Sequence, residues 1–294
     1  MKQLKGKKND KEMSFLEHLE ELRWHIIRSV VAVIVLMIVA FTFNNILFDT
    51  IILGPQKPDF ITAKWLCRIG ELIHSDVLCI NQKPANLINI TMAGQLQTQV
   101  TVSLFTGLIL AFPVVLWEFW KFFKPALKPN ETKYTKGAVL VSSSLFFTGV
   151  LFGYFMITPL SIHFLTNWEV SSVVVNQINI RSYIGNVTSI CFATGLMFEL
   201  PVVVFALTKI GVVTPKFMRT YRRHAIVVIM IVSSIITPPD VFSLILVTIP
   251  LLILYEASIL ISVRVMKQRE KDHEEFMNDD NNISTDTSIV PAKS

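Results

Sequence analysis

Charged side chains are scarce in this chain. Only 17% of its 294 residues are Asp, Glu, Lys or Arg, and 52% are hydrophobic, whereas a soluble domain carries about a quarter charged residues. A water-soluble globule is therefore excluded. A Gly-rich phosphate loop, His/Cys spacing suited to a metal, and a Ser nucleophile placed near a His base are all missing. ATP hydrolysis and membrane enzymology thus have no carriers, and no cofactor is implied. An internal repeat, a mark of many small-solute transporters, is also missing, although Glu199 inside an apolar run and the proline-broken spans keep that class in view. The first 25 residues lack the small-residue cleavage pattern of an export signal.

The apolar residues are gathered in long runs. A helix needs ~20 apolar residues to cross ~30 Å of hydrocarbon, and the runs predict an all-α integral membrane protein with six spans at about 26–43, 96–119, 137–160, 183–207, 224–237 and 241–263. Thr237-Pro238-Pro239-Asp240 separates the last two, because adjacent prolines cannot continue a helix. Both of these helices are expected to be short. Residues 1–25 read as an N-terminal segment with an amphipathic helix, and 265–294 as a disordered polar tail.

The net charge of +5 does not point to nucleic acid, because the cations sit beside the spans in separate loops. Lys and Arg number six in residues 1–25, five in 118–136, five in 209–224 and five in 264–294. The intervening loops hold four in 45–93 and one in 161–183. The positive-inside rule then puts both termini in the cytoplasm. Cys67 and Cys79 fall in the opposite compartment, where disulfides persist. They read either as a bridge or as two buried thiols in a small folded cap. Cys191 lies within span four.

Ser14 and Glu17 have capping-box spacing at the start of the first helix. Phe15, Leu19, Leu22 and Ile26 share one face of that helix, and His18, Glu21 and His25 another. Glu199 lies inside an apolar span beside Pro201. A carboxyl there costs about 2.5–3.5 kcal/mol on insertion scales and needs a partner or water. An interhelical hydrogen bond that only holds the bundle is one reading of it. Asp240 suits the N-cap of span six. Glu256 can reach the interface towards Arg264, and Arg28 can snorkel.

His18-Leu-Glu-Glu-Leu-Arg23 before span one resembles the TatC family of the twin-arginine translocase. Four further blocks agree in order: Ala111–Leu127 with Pro129-Asn130-Glu131, Phe198-Glu-Leu-Pro201, Thr237–Ser243 and Ile249–Glu256. The resemblance implies a concave bundle that receives signal peptides with consecutive arginines, together with single-span TatA/TatB-type partners and the proton-motive force. It assigns arginine recognition to Glu21 and Glu131, with Arg23 and Leu127 nearby. Bidentate pairing of guanidinium with carboxylate is the chemistry this requires. Read without the resemblance, Glu131 is a solvated counter-ion among Lys124, Lys128, Lys133 and Lys136. The resemblance also implies that Glu199 faces partner subunits; Thr237 and Ser234 are candidates for the same polar cluster, Ser234 standing where some relatives have an apolar residue. It marks Pro55, Phe122, Pro238, Pro239, Asp240 and Glu256 as needed for structure or transport. His25 departs from the family pattern, standing where many relatives have Arg or Lys.

Overall fold

The computed structural model describes residues 15–74, 79–81, 86–123, 135–169, 171, 173, 176–237 and 241–286. Five helical segments among them are long and apolar enough to cross a membrane: Leu19–Thr42, Gly94–Phe122, Gly137–Asn167, Ile180–Ile210 and Ser243–Gln268. They belong to α1 (Phe15–Thr42), α3 (Gly94–Phe123), α4 and α5 (Thr135–Phe152, Thr158–Asn167), α6 and α7 (Ile180–Phe198, Leu200–Ile210), and α10 (Val241–Asp286). The remaining predicted span is α9 (Arg222–Ile236), whose 15 residues reach about 22 Å. The chain is an all-α membrane protein.

Two expectations need correction. The last span is not short: its apolar stretch covers 26 residues to Gln268. Nor is the sequence after it without structure, since α10 continues to Asp286. The physical reason is propensity. Lys, Gln, Arg and Glu dominate the turns after Met266, and neither Gly nor Pro occurs between Pro250 and Pro291. A polar composition suggested disorder; helix-forming side chains on an already nucleated helix extend it instead.

The chain forms two compact units. One combines the chain up to Asn44 with Val100–Ser143; the other combines Asn45–Gln99 with the chain from Ser144 onward. In the first, α1 lies against α3 at Gly107. A Cβ added there would meet the Met37 backbone at 2.6 and 2.8 Å, so hydrogen is the only side chain that this crossing admits. Leu19 and Ile26 of the apolar stripe are 45% and 53% exposed, whereas His25 is 8% exposed. The polar face of α1 turns inward and the apolar face outward, the reverse of a soluble amphipathic helix.

The second unit is built round Ile157, Ile190, Ile229, Val247 and Leu251. Prolines disturb its spans, and each freed backbone group has to find a partner in lipid. Pro159 has no N–H for the Phe155 carbonyl, and the span relaxes into a π-helical stretch over Gly153–Ile157. The hydroxyl of Thr62, in α2 (Ile61–Ile73), donates to that Phe155 carbonyl. Thr62 belongs to a folded cap in which Cys67 and Cys79 are joined by a disulfide. Asn81 Nδ2 donates to the carbonyls of Pro55 at 2.9 Å and Pro159 at 3.3 Å. Two short parallel strands, β1 (Leu87–Ile88) and β2 (Ile178–Asn179), join this cap to the loop before α6. Hydroxyl pairs fasten α10 elsewhere, Ser161 to Ser243 at 3.2 Å and Thr208 to Ser262 at 2.8 Å.

Gly107→Ala is expected to destabilise the protein by about 1–3 kcal/mol through overpacking. Gly185→Ala, where nothing lies within 4 Å of the added carbon, should stay near wild type. Thermal melting in detergent compares the two.

Candidate functional site

The inward face of α1 meets a carboxylate near the end of α3. Glu118 is 6% exposed and lies within the apolar segment that ends at Phe122. Its Oε2 sits 2.6 Å from His25 Nδ1 and 3.7 Å from an Arg28 guanidinium nitrogen; its Oε1 accepts from Lys121 Nζ at 2.9 Å. Phe122 closes one side of the His25 ring, edge to face at 6.3 Å. Lys121 also lies over the Trp117 ring at 5.5 Å. A carboxylate in an apolar helix is costly, and here three cationic or proton-donating groups offset that cost.

The other ring nitrogen of His25 faces Glu21, with Nε2 3.9 Å from Oε1. That separation is too long for a hydrogen bond, so the contact is a weak ion pair when the ring is protonated. Glu21 Oε2 is shielded from solvent and has no hydrogen-bond partner among the described residues. Arg23, by contrast, is on the outer surface, 3.7 Å from Glu20 and over the Trp24 ring at 5.7 Å. The two carboxylates therefore differ in kind. Both oxygens of Glu118 are engaged, whereas Glu21 keeps an oxygen whose acceptor capacity is unused among the described residues.

The structure brings Glu21, His25, Arg28, Glu118, Lys121 and Phe122 into one cluster. Arg28 stays 59% exposed, as a snorkelling side chain does, but with its head near Glu118. Leu127 and Glu131 lie outside the described residues, as do Ser14, Pro238, Pro239 and Asp240. The sequence pattern does not single out Glu118. Its signal is a lone acid between Trp117 and Phe119 inside an apolar run, which reads as an interfacial residue until α1 is laid beside it.

In the second unit, Glu199 is 8% exposed and occupies the single residue between α6 and α7. The break follows from Pro201, which cannot donate to the preceding turn. Met197 and Leu200 on either side pack on the buried apolar cluster. Thr237 caps α9, its hydroxyl and amide both donating to the Ser233 carbonyl at 2.9 and 3.0 Å. Ser234 is exposed and bonds back to the Ile231 carbonyl at 2.7 Å. Pro55 is buried in the cap. Glu256 requires a correction: its partner is Arg222 at 2.7 Å, not Arg264. A tertiary approach of α9 to α10 outweighs the two-turn spacing along one helix. Among the described residues no group of three or more His, Cys, Asp or Glu side chains could hold a metal ion.

Residues 17–250 match the family of the Sec-independent protein translocase protein (TatC). The chain belongs to the TatC family. A Sec-independent protein translocase protein TatC from Blattabacterium sp. subsp. Periplaneta americana is 40% identical over 268 residues, covering 90% of this chain and all of that one. The Aquifex aeolicus TatC is 30% identical over 88% of this chain and 98% of its own length. A crystal structure of the twin arginine translocase receptor TatC in DDM superposes with a TM-score of 0.66 at 32% identity, covering 84% of this chain and 99% of that one. Another TatC receptor crystal structure gives 0.62 at the same identity, covering 85% and 100%. This TatC-family chain is accordingly a membrane component of a Sec-independent protein translocase, working with other components of that system.

Glu118→Ala is expected to cost about 3–5 kcal/mol, because buried His25 loses its carboxylate hydrogen-bond partner and Lys121 and Arg28 lose the charge they share. Adding His25→Ala should recover part of that loss. Additive losses in a denaturation double-mutant cycle in detergent would exclude the coupling.

Proposed function

We propose that this chain is the receptor subunit for twin-arginine signal peptides, placed in the bacterial inner membrane with both termini cytoplasmic. Glu21 and Glu131 take the two guanidinium groups, with Arg23 and Leu127 at the edge of the site. The signal's apolar stretch then inserts along the bundle. Single-span TatA/TatB-type subunits dock near Glu199, Ser234 and Thr237, copies of the receptor associate with one another, and the proton-motive force drives folded cargo across. Pro55, Phe122, Pro238, Pro239, Asp240 and Glu256 hold the parts that move or bear load.

The observation that carries this reading is the solvent-shielded Oε2 of Glu21, which has no hydrogen-bond partner among the described residues. An acceptor left without a donor is costly, and an arriving guanidinium supplies donors in fork geometry together with the missing charge. The neighbouring acid cannot compete, because His25, Arg28 and Lys121 already occupy it. Similarity to receptors of known structure supports the same assignment.

Glu21→Gln and Glu131→Gln should each lower photo-crosslinking of an arginine-pair signal peptide by about tenfold or more, since a charge-assisted pair gives way to a neutral hydrogen bond. Unchanged crosslinking in both variants, with wild-type melting, refutes the assignment. Glu199→Ala separates the steps. It is expected to abolish export of a folded reporter while signal-peptide crosslinking at the surface stays near wild type.

A further inference from the structure

Beyond the cluster on α1 and α3, the second unit carries a second charged site of opposite sign. The α6–α7 span ends at Gly211, in the left-handed region at φ 93°. The chain then turns into α8 (Pro215–Thr220), whose start is capped by the Thr214 hydroxyl accepting from the Phe217 amide at 3.2 Å. An open cavity of about 710 Å³ lies between α8 and α10. Lys216 and Arg219 line it from α8, and Lys267 lines it from α10. Val263 and Met266 give it an apolar side, and Glu270 contributes one carboxylate.

None of the three cations forms a side-chain ion pair or hydrogen bond with another described residue. Elsewhere the chain does pair such groups: Arg222, two residues beyond α8, is held by Glu256 at 2.7 Å. Three cations and a single carboxylate line one cavity, and an anion between the cations relieves their remaining mutual repulsion.

The depth of the cavity identifies the anion. It lies where the apolar stretch of α10 ends, at Gln268. Beside it Phe217 and Tyr221 are 54% and 46% exposed, with their rings 4.6 Å apart. An exposed tyrosine at a span end, such as Tyr221, marks the headgroup level of a bilayer. Met218 between them is buried, and its carbonyl accepts from Tyr255 Oη at 3.0 Å, which ties α8 down to α10. We propose that this cavity binds the phosphodiester headgroup of an anionic phospholipid. The phosphate sits among Lys216, Arg219 and Lys267, and the glycerol and first acyl carbons lie against Val263 and Met266.

The test is lipid retention by the full chain, read by native mass spectrometry after purification and exchange into detergent doped with phosphatidylglycerol or phosphatidylcholine. Wild type should keep phosphatidylglycerol and not phosphatidylcholine. Lys216→Gln, Arg219→Gln and Lys267→Gln together should weaken retention by at least about tenfold, and each alone by about fivefold. The single variants carry the test if the triple variant fails to melt cooperatively. Lys57→Gln, Lys64→Gln and Arg68→Gln together remove the same charge from elsewhere and should leave retention unchanged. Equal retention in the cavity variants, or equal loss in the charge-matched variant, overturns the proposal. Complete displacement of phosphatidylglycerol by millimolar inorganic phosphate also overturns it, since the site would then be for a free anion.

Discussion

A carboxylate on an apolar helix must be surrounded by donors or it cannot stay there, and Glu118 organises the first unit on that condition. Its oxygens collect His25, Arg28 and Lys121. Two of these come from α1, so α1 must present its polar face to α3. Leu19 and Ile26 are turned outward as a consequence. In water that orientation would be costly; facing lipid, apolar side chains lose nothing by it. The close approach at Gly107 then lets the two helices meet without a side chain between them.

The second unit obeys a related constraint on the backbone. Pro159 and Pro201 each remove a donor from a span, and the two sites resolve the loss differently. At Pro159 a hydroxyl from the cap replaces the missing bond, so the disulfide-closed cap is attached directly to the span beneath it. At Pro201 the helix divides, and Glu199 occupies the junction with its side chain buried. A break in a span and an intramembrane acid thus coincide.

The distribution of unused charge separates the parts of the proposed receptor. Glu118 is fully engaged and acts as scaffold. Glu21, one helical turn from His25, keeps acceptor capacity for a guanidinium group. The cavity beside α8 keeps cationic capacity for a phosphate. In the proposed scheme, recognition of a doubly cationic peptide and attachment to anionic lipid use different residues of opposite sign, and neither ligand competes for the other's groups.

Long apolar runs and their basic flanks were readable along the chain because each span is a local, contiguous feature whose solvent is lipid. The family blocks from His18 to Glu256 were readable in the same way. So were the shortness of α9, set by the double proline, and the position of Glu199, an acid where no acid is tolerated without cause. What required the tertiary structure was pairing between distant positions. Glu118 becomes a buried counter-ion only when His25, 93 residues earlier, lies against it; Glu256 chooses Arg222 because α9 comes close to α10. The helical continuation to Asp286 also escaped a reading by composition, because polarity reports on burial while helix propensity reports on backbone freedom. Local sequence states what each segment can tolerate, and only the packed chain decides which charges meet.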